Sequence, residues 1–253
     1  MKDTKIEWCD DTSNFVTGCI HGCDYCYARR MATRFAGKEG TVYHRLRRSG
    51  FNPFTPAFHW DVLEKLEDRL LNVKCSRRVF IASMGDVCCD TTFCVTSTKW
   101  PPSFSMSTTD VLMQIYELCC KHPRHTFLLL SKNPQLFNLI YWPKNVHVGT
   151  SIDRTDDVTI SRIRDLSRVT ASVRWLSVEP ILDPAFMVND MCVDGFKPDW
   201  IVVGGLSGRK PLPRGCVRVV ERIVIWGQHH HIPVFLKDNL PRINGDRPQE
   251  YPV

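Results

Sequence analysis

Six short runs of β-branched and apolar residues recur along this chain, and they constrain its fold more than any other feature. They fall at 79–83, 126–130, 146–150, 173–177, 200–204 and 233–236. Most are hydrophobic throughout rather than alternating, the pattern of strands in a parallel sheet covered on both faces. An earlier candidate strand lies at 14–17. Helical patterns occupy 24–36, 60–71, 109–121, 154–169 and 217–229. The second of these carries Val62, Leu63, Leu66 and Leu70 on one face, and the third Val111, Leu112, Ile115 and Leu118. Strand alternating with helix predicts βαβ units in an α/β fold. No glycine-rich phosphate fingerprint follows the first strand, so a full or partial (β/α) barrel fits better than a doubly wound sheet.

The pattern predicts a single domain over 1–253. An N-terminal segment takes 1–13, and a strand, loop and helix take 14–36. Loop insertions are expected at 37–59, with its glycines, prolines and aromatics, and at 90–107, rich in Ser, Thr and Pro. Such long loops act as lids or binding segments, or remain disordered. Residues 238–253 form a tail.

With 253 residues and a hydrophobic fraction of 43%, the chain has enough apolar material for a core, which excludes a disordered, collagenous or coiled-coil chain. No apolar run reaches the roughly 18 residues of a membrane span. The first residues carry no apolar signal segment, so a cytoplasmic location without a membrane partner is expected. Twelve cysteines in an unexported chain then point to metal binding or redox chemistry rather than disulfides. The formal charge of +6 permits nucleic-acid contact. Arginines cluster at Arg29, Arg30 and Arg34 and at Arg45, Arg47 and Arg48, either as solvated helix faces or as a phosphate-facing patch.

Among the cysteines the strongest local signal is Cys19-Ile-His-Gly-Cys23-Asp-Tyr-Cys26. Three thiolates on one loop after a strand can converge on one metal centre. A structural zinc site uses four protein ligands, whereas an iron–sulfur cluster can be held by three cysteines with one iron open to another ligand.

This spacing, with Tyr25 before the last cysteine, resembles the signature of the radical S-adenosylmethionine (SAM) superfamily. The resemblance implies a single-domain partial (β/α) TIM-like barrel of about six to seven parallel strands. It implies a 4Fe-4S cluster on Cys19, Cys23 and Cys26, with SAM on the open iron, and an electron donor such as flavodoxin or ferredoxin. More narrowly, Thr4–Trp8, Val16–Cys19, His21–Arg29, Ser83-Met-Gly-Asp86, 130–134, 149–151, 176–180, 203–205 and 237–240 look like the phage Gp37/Gp68 three-cysteine family. That match runs over nearly the whole chain. Phe15 stands where the family's pattern has proline, and Val87-Cys88-Cys89 stands where bulky apolar residues are expected.

Sites in such barrels lie at the C-terminal ends of strands. Ser83, Met84, Gly85 and Asp86 resemble the segment that binds SAM's amino group. Thr150 and Ser151 are placed for its ribose or carboxylate, or cap the next helix. Gly204 and Gly205 let backbone approach the adenine, or serve a turn. Lys132, Glu179 and Lys237 are candidate catalytic residues, since charge after a buried strand is costly unless paired or used. The same residues can instead be a structural set in which the lysines pair with Glu179 and Asp86. Cys88 and Cys89 are either buried small residues or hydrogen-atom donors to a product. The remaining cysteines are read as packing residues, and His229-His230-His231 as the end of a helix.

The resemblance implies reductive cleavage of SAM and hydrogen abstraction from a substrate. The expected setting is phage DNA hypermodification in the host cytoplasm, by an isomerase-type rearrangement of an amino-acid-modified thymidine or similar pyrimidine. The substrate partner is a modified nucleotide or DNA. A DNA-lesion lyase and a non-catalytic zinc- or cluster-binding nucleic-acid module, with Cys9 or His21 as fourth ligand, are the alternatives. The sequence does not fix the oligomeric state.

Overall fold

The computed structural model describes residues 4–99, 104–208 and 211–252. It is a mixed α/β chain, and by contacts it divides into two compact units. The first comprises 9–129 and 139–146 with the N-terminal 1–5. The second comprises 6–8, 130–138 and 147–253.

In the first unit the elements run β1 (Asp11–Ser13), β2 (Val16–Thr17), α1 (Tyr27–Phe35), α2 (Val42–Arg48), β3 (Ala57–His59), α3 (Trp60–Asn72), β4 (Arg78–Ile81), β5 (Phe93–Thr96), β6 (Ser105–Met106), α4 (Thr108–Lys121) and β7 (Thr126–Ser131), whose last two residues belong to the second unit. β1, β4 and β7 pair in parallel. A second, four-stranded sheet is ordered β2-β3-β5-β6. β2–β3 and β5–β6 are antiparallel and β3–β5 parallel. Phe15, Phe58, Phe93 and Phe127 are fully buried here. α4 begins with a capping box in which Ser107 and Asp110 bond each other's backbone.

The second unit holds β8 (Val146–Ile152), α5 (Asp157–Ser167), β9 (Val173–Val178), β10 (Trp200–Val203), α6 (Cys216–His230) and β11 (Val234–Leu236). β8–β9, β9–β10 and β10–β11 are parallel. Its core centres on Trp8, Trp175 and Trp200, with ring centroids 5.1 to 6.0 Å apart. The main-sheet order is β1-β4-β7-β8-β9-β10-β11. It advances along the chain without the reversal that defines a doubly wound sheet, as the sequence predicted.

Four expectations need correction. The strand expected at 14–17 is reduced to β2 at Val16–Thr17, which opens the second sheet, and the first strand of the parallel sheet is β1, inside the expected N-terminal segment. The helix expected from 24 begins only at Tyr27, because Cys26 caps it. The 37–59 insertion contains α2 and β3, and the 90–107 insertion contains β5 and β6; its residues 100–103 lie outside the described residues. Cys75 and Cys120 are exposed rather than packed. Among the described residues, no helix is long and apolar enough to cross a membrane.

Candidate metal centre

In the first unit the chain leaves β2 through Gly18, whose φ of 83° lies in the region that favours glycine. A Cβ there would lie 2.2 Å from the Thr55 carbonyl oxygen, and one on Gly85 would lie 2.8 Å from that of Gly18. Bare Gly18 clears the Thr55 carbonyl, and bare Gly85 lets its backbone dock directly on that of Gly18. The Gly18 N–H donates to Met84 O at 3.1 Å and the Asp86 N–H to Gly18 O at 3.0 Å. The loop that starts at Cys19 is thereby fixed against 83–86, far away in sequence.

The segment after β4 is itself held on several sides. Ala82, not a glycine, has φ 61°, a conformation costing on the order of 1–3 kcal/mol that persists only where surroundings enforce it. Asn14 Oδ1 accepts from the Ser83 hydroxyl at 3.1 Å and the Met84 N–H at 2.9 Å. The Tyr27 hydroxyl donates to the Ser83 carbonyl. Neither Asn14 nor Tyr27 stood out in the sequence as a support of this segment, because their bonds span 56 to 70 residues.

On the loop, Cys19 Sγ accepts from the His21 N–H at 3.4 Å. Cys26 Sγ accepts from the Arg29 N–H at 3.3 Å and so caps α1. Ala28, Ala32 and Ala36 form the buried stripe of α1, and their small size lets it settle on Tyr43, Phe54 and Met84; Cys19 and Cys26 pack on this same apolar floor. The Cys26 N–H donates to Cys23 O at 3.2 Å, so Cys23 to Cys26 make one tight turn. His21 Nε2 and Asp86 Oδ2 are 2.9 Å apart. The donor atoms of Cys19, His21 and Asp86 all lie within 4.8 Å of one another, a set able to hold a metal ion.

Cys88 and Cys89 are fully buried. The Cys89 thiol hydrogen-bonds Cys19, which brings the Cys19 pKa down to about 7 despite its burial and the Asp86 charge. The same bond, burial and the Asp86 charge push Cys89 up, so it stays a thiol and acts as the donor. Cys94 packs with Leu46 and Ala57.

The second unit gathers the other strand ends. Lys237 Nζ and Glu179 Oε1 are 2.5 Å apart. A Cβ on Gly204 would lie 2.7 Å from Lys237 Cδ and 2.8 Å from Glu179 Oε1, so this glycine makes room for the ion pair. The Gly205 N–H donates to Asn239 Oδ1 at 3.2 Å, and Asn239 Nδ2 donates back to Gly205 O at 3.1 Å. The second lysine, Lys132, brings its Nζ to 3.5 Å from Asp153 Oδ2. Arg154 and Arg162 converge on the same buried carboxylate at 3.3 and 3.5 Å. Asp153 escaped notice in the sequence because β8 runs two residues beyond the expected 150. Its place directly after a buried strand was the available signal. Thr150 is buried and donates to Ser131 O at 2.8 Å. It does not cap α5, whose cap is Asp156. Ser151 is half-buried, and Arg162 Nη1 donates to its carbonyl at 3.5 Å.

No curated protein and no solved structure matches the chain. Residues 3–237 match the family described as "Protein of unknown function (DUF5131)". With that match running from the N-terminal segment through the cysteine loop to Lys237, the chain belongs to the DUF5131 family.

Proposed function

We propose that this protein is a radical SAM enzyme that modifies a pyrimidine base of phage DNA. The observation that carries the reading is the cysteine loop. Cys19, Cys23 and Cys26 share one short loop, and Cys19 and Cys26 each receive a backbone N–H and pack on a common apolar floor with Met84. Those features suit a 4Fe-4S cluster, whose potential is set partly by hydrogen bonds to its sulfurs and by exclusion of solvent. Cys19, Cys23 and Cys26 would hold the cluster, and Ser83 to Asp86 would lie along SAM. When bound, such a cluster would supply the one electron for reductive cleavage of SAM and thereby hydrogen abstraction from substrate.

The chain's own contributions are binding, orientation and exclusion of water. Gly18 and Gly85 set the spacing between the cysteine loop and Asp86. Asp86 Oδ1 accepts from the Cys88 N–H at 2.9 Å, and Oδ2 lies 2.9 Å from His21 Nε2, which together fix the carboxylate at the end of this segment. In the second unit, Glu179 with Lys237 and Asp153 with Lys132 hold charge at strand ends, where each pair can exchange partners with a polar ligand. A rearrangement of an amino-acid-modified thymidine is the favoured reaction; cleavage of a DNA lesion is the enzymatic alternative.

A second reading has its own observation. Cys19, His21 and Asp86 can bind a single divalent ion such as zinc without catalysis. The two readings differ at Cys23 and Cys26, which that donor set omits. Protein reconstituted anaerobically with iron and sulfide should be brown and, once reduced, should form 5′-deoxyadenosine from SAM. Cys23→Ala and Cys26→Ala should each abolish both, while Cys120→Ala, on the exposed side of α4, should abolish neither. A colourless protein with one tightly bound zinc, retained in Cys23→Ala, would establish the second reading instead. Nucleoside mass spectrometry of DNA from cells with and without the active gene tests the substrate.

A further inference from the structure

The positive charge of this chain is concentrated in one place. Between Tyr27 and Gly50 stand six exposed cations, Arg29, Arg30, Arg34, Lys38, Arg47 and Arg48. Arg45 adds a seventh and Glu39 is the one anion, so this stretch carries +6. The whole chain also carries +6. The remainder is therefore electrically neutral.

The structure shows why the cations share a face. α1 and α2 rest on one apolar floor, where Phe35 and Tyr43 stack at 6.2 Å. Their buried positions are Ala28, Ala32, Tyr43 and Leu46, which turns the charged positions outward. Several surface cations elsewhere sit beside carboxylates: Lys99 with Glu64, Lys121 with Glu67, Arg164 with Asp194, Arg247 with Asp238. On α1 and α2, only Arg45 does so among the described residues, with Asp61 at 2.9 Å. Repulsion among uncompensated arginines destabilises a fold unless a polyanion answers it. Phe51 and Met31 are exposed among these cations and offer apolar surface, and an aromatic face stacks an unpaired base. α1 begins immediately after Cys26, so this surface adjoins the cysteine loop.

We infer that the outer face of α1 and α2 grips the phosphate backbone of DNA, and hence that the substrate is a polymer rather than a free nucleotide. This rests on the DNA-modifying reading above. Arginine suits the role because its planar fork pairs with phosphate oxygens two at a time. The neutral remainder of the chain makes the contact local.

Anisotropy of a fluorescein-labelled oligodeoxynucleotide, single-stranded and duplex, tests this over a salt series. The logarithm of affinity should fall linearly with the logarithm of salt, with a slope of about −0.7 to −0.9 per phosphate contact. The variant Arg30→Glu/Arg34→Glu/Arg47→Glu/Arg48→Glu should bind at least about tenfold more weakly and lose about one unit of slope per arginine. Arg214→Glu/Arg218→Glu, exposed in the second unit, should bind as the parent does. Unchanged binding by the fourfold variant, equal competition by thymidine monophosphate, or tighter binding of the matching RNA or of phosphatidylserine vesicles would each overturn the inference. SAM cleavage by the unmodified protein is measured in parallel. Cleavage without salt-dependent DNA binding removes this inference and leaves the radical SAM reading. Salt-dependent DNA binding by a protein that holds no cluster does the reverse.

Discussion

His59 gives the sharpest test of how the scaffold beneath the cysteine loop is held. It lies on β3, fully buried, with Nε2 2.8 Å from Thr17 Oγ1 and Nδ1 2.5 Å from Thr96 Oγ1. Thr17 is the last residue of β2, directly before Gly18 and Cys19. Burial, assisted by the charge of Arg45, lowers the His59 pKa from 6.5 to about 3. The folded state therefore holds a neutral imidazole where the unfolded state binds a proton below pH 6.5. Stability from this group is complete above pH 6.5 and is lost progressively as the pH falls toward 3. At 1.36 kcal/mol per unit, the full loss is on the order of 5 kcal/mol, and about 2 kcal/mol has gone by pH 5. His59→Gln keeps amide groups able to meet both threonines but cannot titrate. Urea unfolding followed by tryptophan fluorescence at pH 7.5 and pH 5 should show the parent losing about 2 kcal/mol more than the variant over that interval. Other titrating groups, among them His147, whose pKa burial lowers to about 4, are common to both proteins and cancel. Parallel pH dependences would refute the claim that His59 is held neutral between two threonines.

Two further outcomes follow from single contacts. Cys89→Ala removes the thiol that hydrogen-bonds Cys19, so in iron-free protein the pH midpoint for Cys19 alkylation, near 7 in the parent, should move upward. An unchanged midpoint in peptide mass spectrometry would show that Cys89 is not the donor. Gly204→Ala sets a methyl group 2.7 Å from Lys237 Cδ and 2.8 Å from Glu179 Oε1, an overpacking cost of about 1–3 kcal/mol. A Gly204→Ala protein with the parent's unfolding midpoint would mean that the ion pair is free to move away.

Six of the seven strands of the main sheet were legible because they are largely buried and read as mostly apolar runs, as at Trp200–Val203 and Val173–Val178; β1, Asp-Thr-Ser, has no apolar residue to announce it. The second sheet was not legible. β2 and β6 are two residues each, too short to display any period, and β3 follows closely on Pro53 and Pro56, which read as loop. α2 was hidden for a related reason: its seven residues are mostly basic, with a buried side of only Tyr43 and Leu46. The same division holds at the site. Cys19, Cys23 and Cys26 lie within eight residues, so their spacing alone announced them. The partners that orient the surrounding groups are distant: Asn14 to Ser83, His21 to Asp86, Cys89 to Cys19. Only a folded backbone brings those pairs together.

Gly18 and Gly85 carry this argument one step further. The backbone docking they permit ties the first residue of the cysteine loop to the segment ending in Asp86, independently of what the loop binds. Cys19 consequently belongs to both candidate ligand sets, the three cysteines and the Cys19–His21–Asp86 group. Its contacts cannot separate a cluster from a single ion. Cys23 and Cys26 can, because they belong to the first set alone, and Cys26 serves that set while also capping α1. Removing Cys26 takes the cap with it, at about 0.5–2 kcal/mol for a strong cap, so a loss of metal in Cys26→Ala mixes binding with folding. Cys23 caps nothing: only its backbone carbonyl bonds within the turn, and alanine preserves that bond. Metal content of the Cys23→Ala protein is therefore the measurement in which ligand chemistry stands apart from the architecture that supports it.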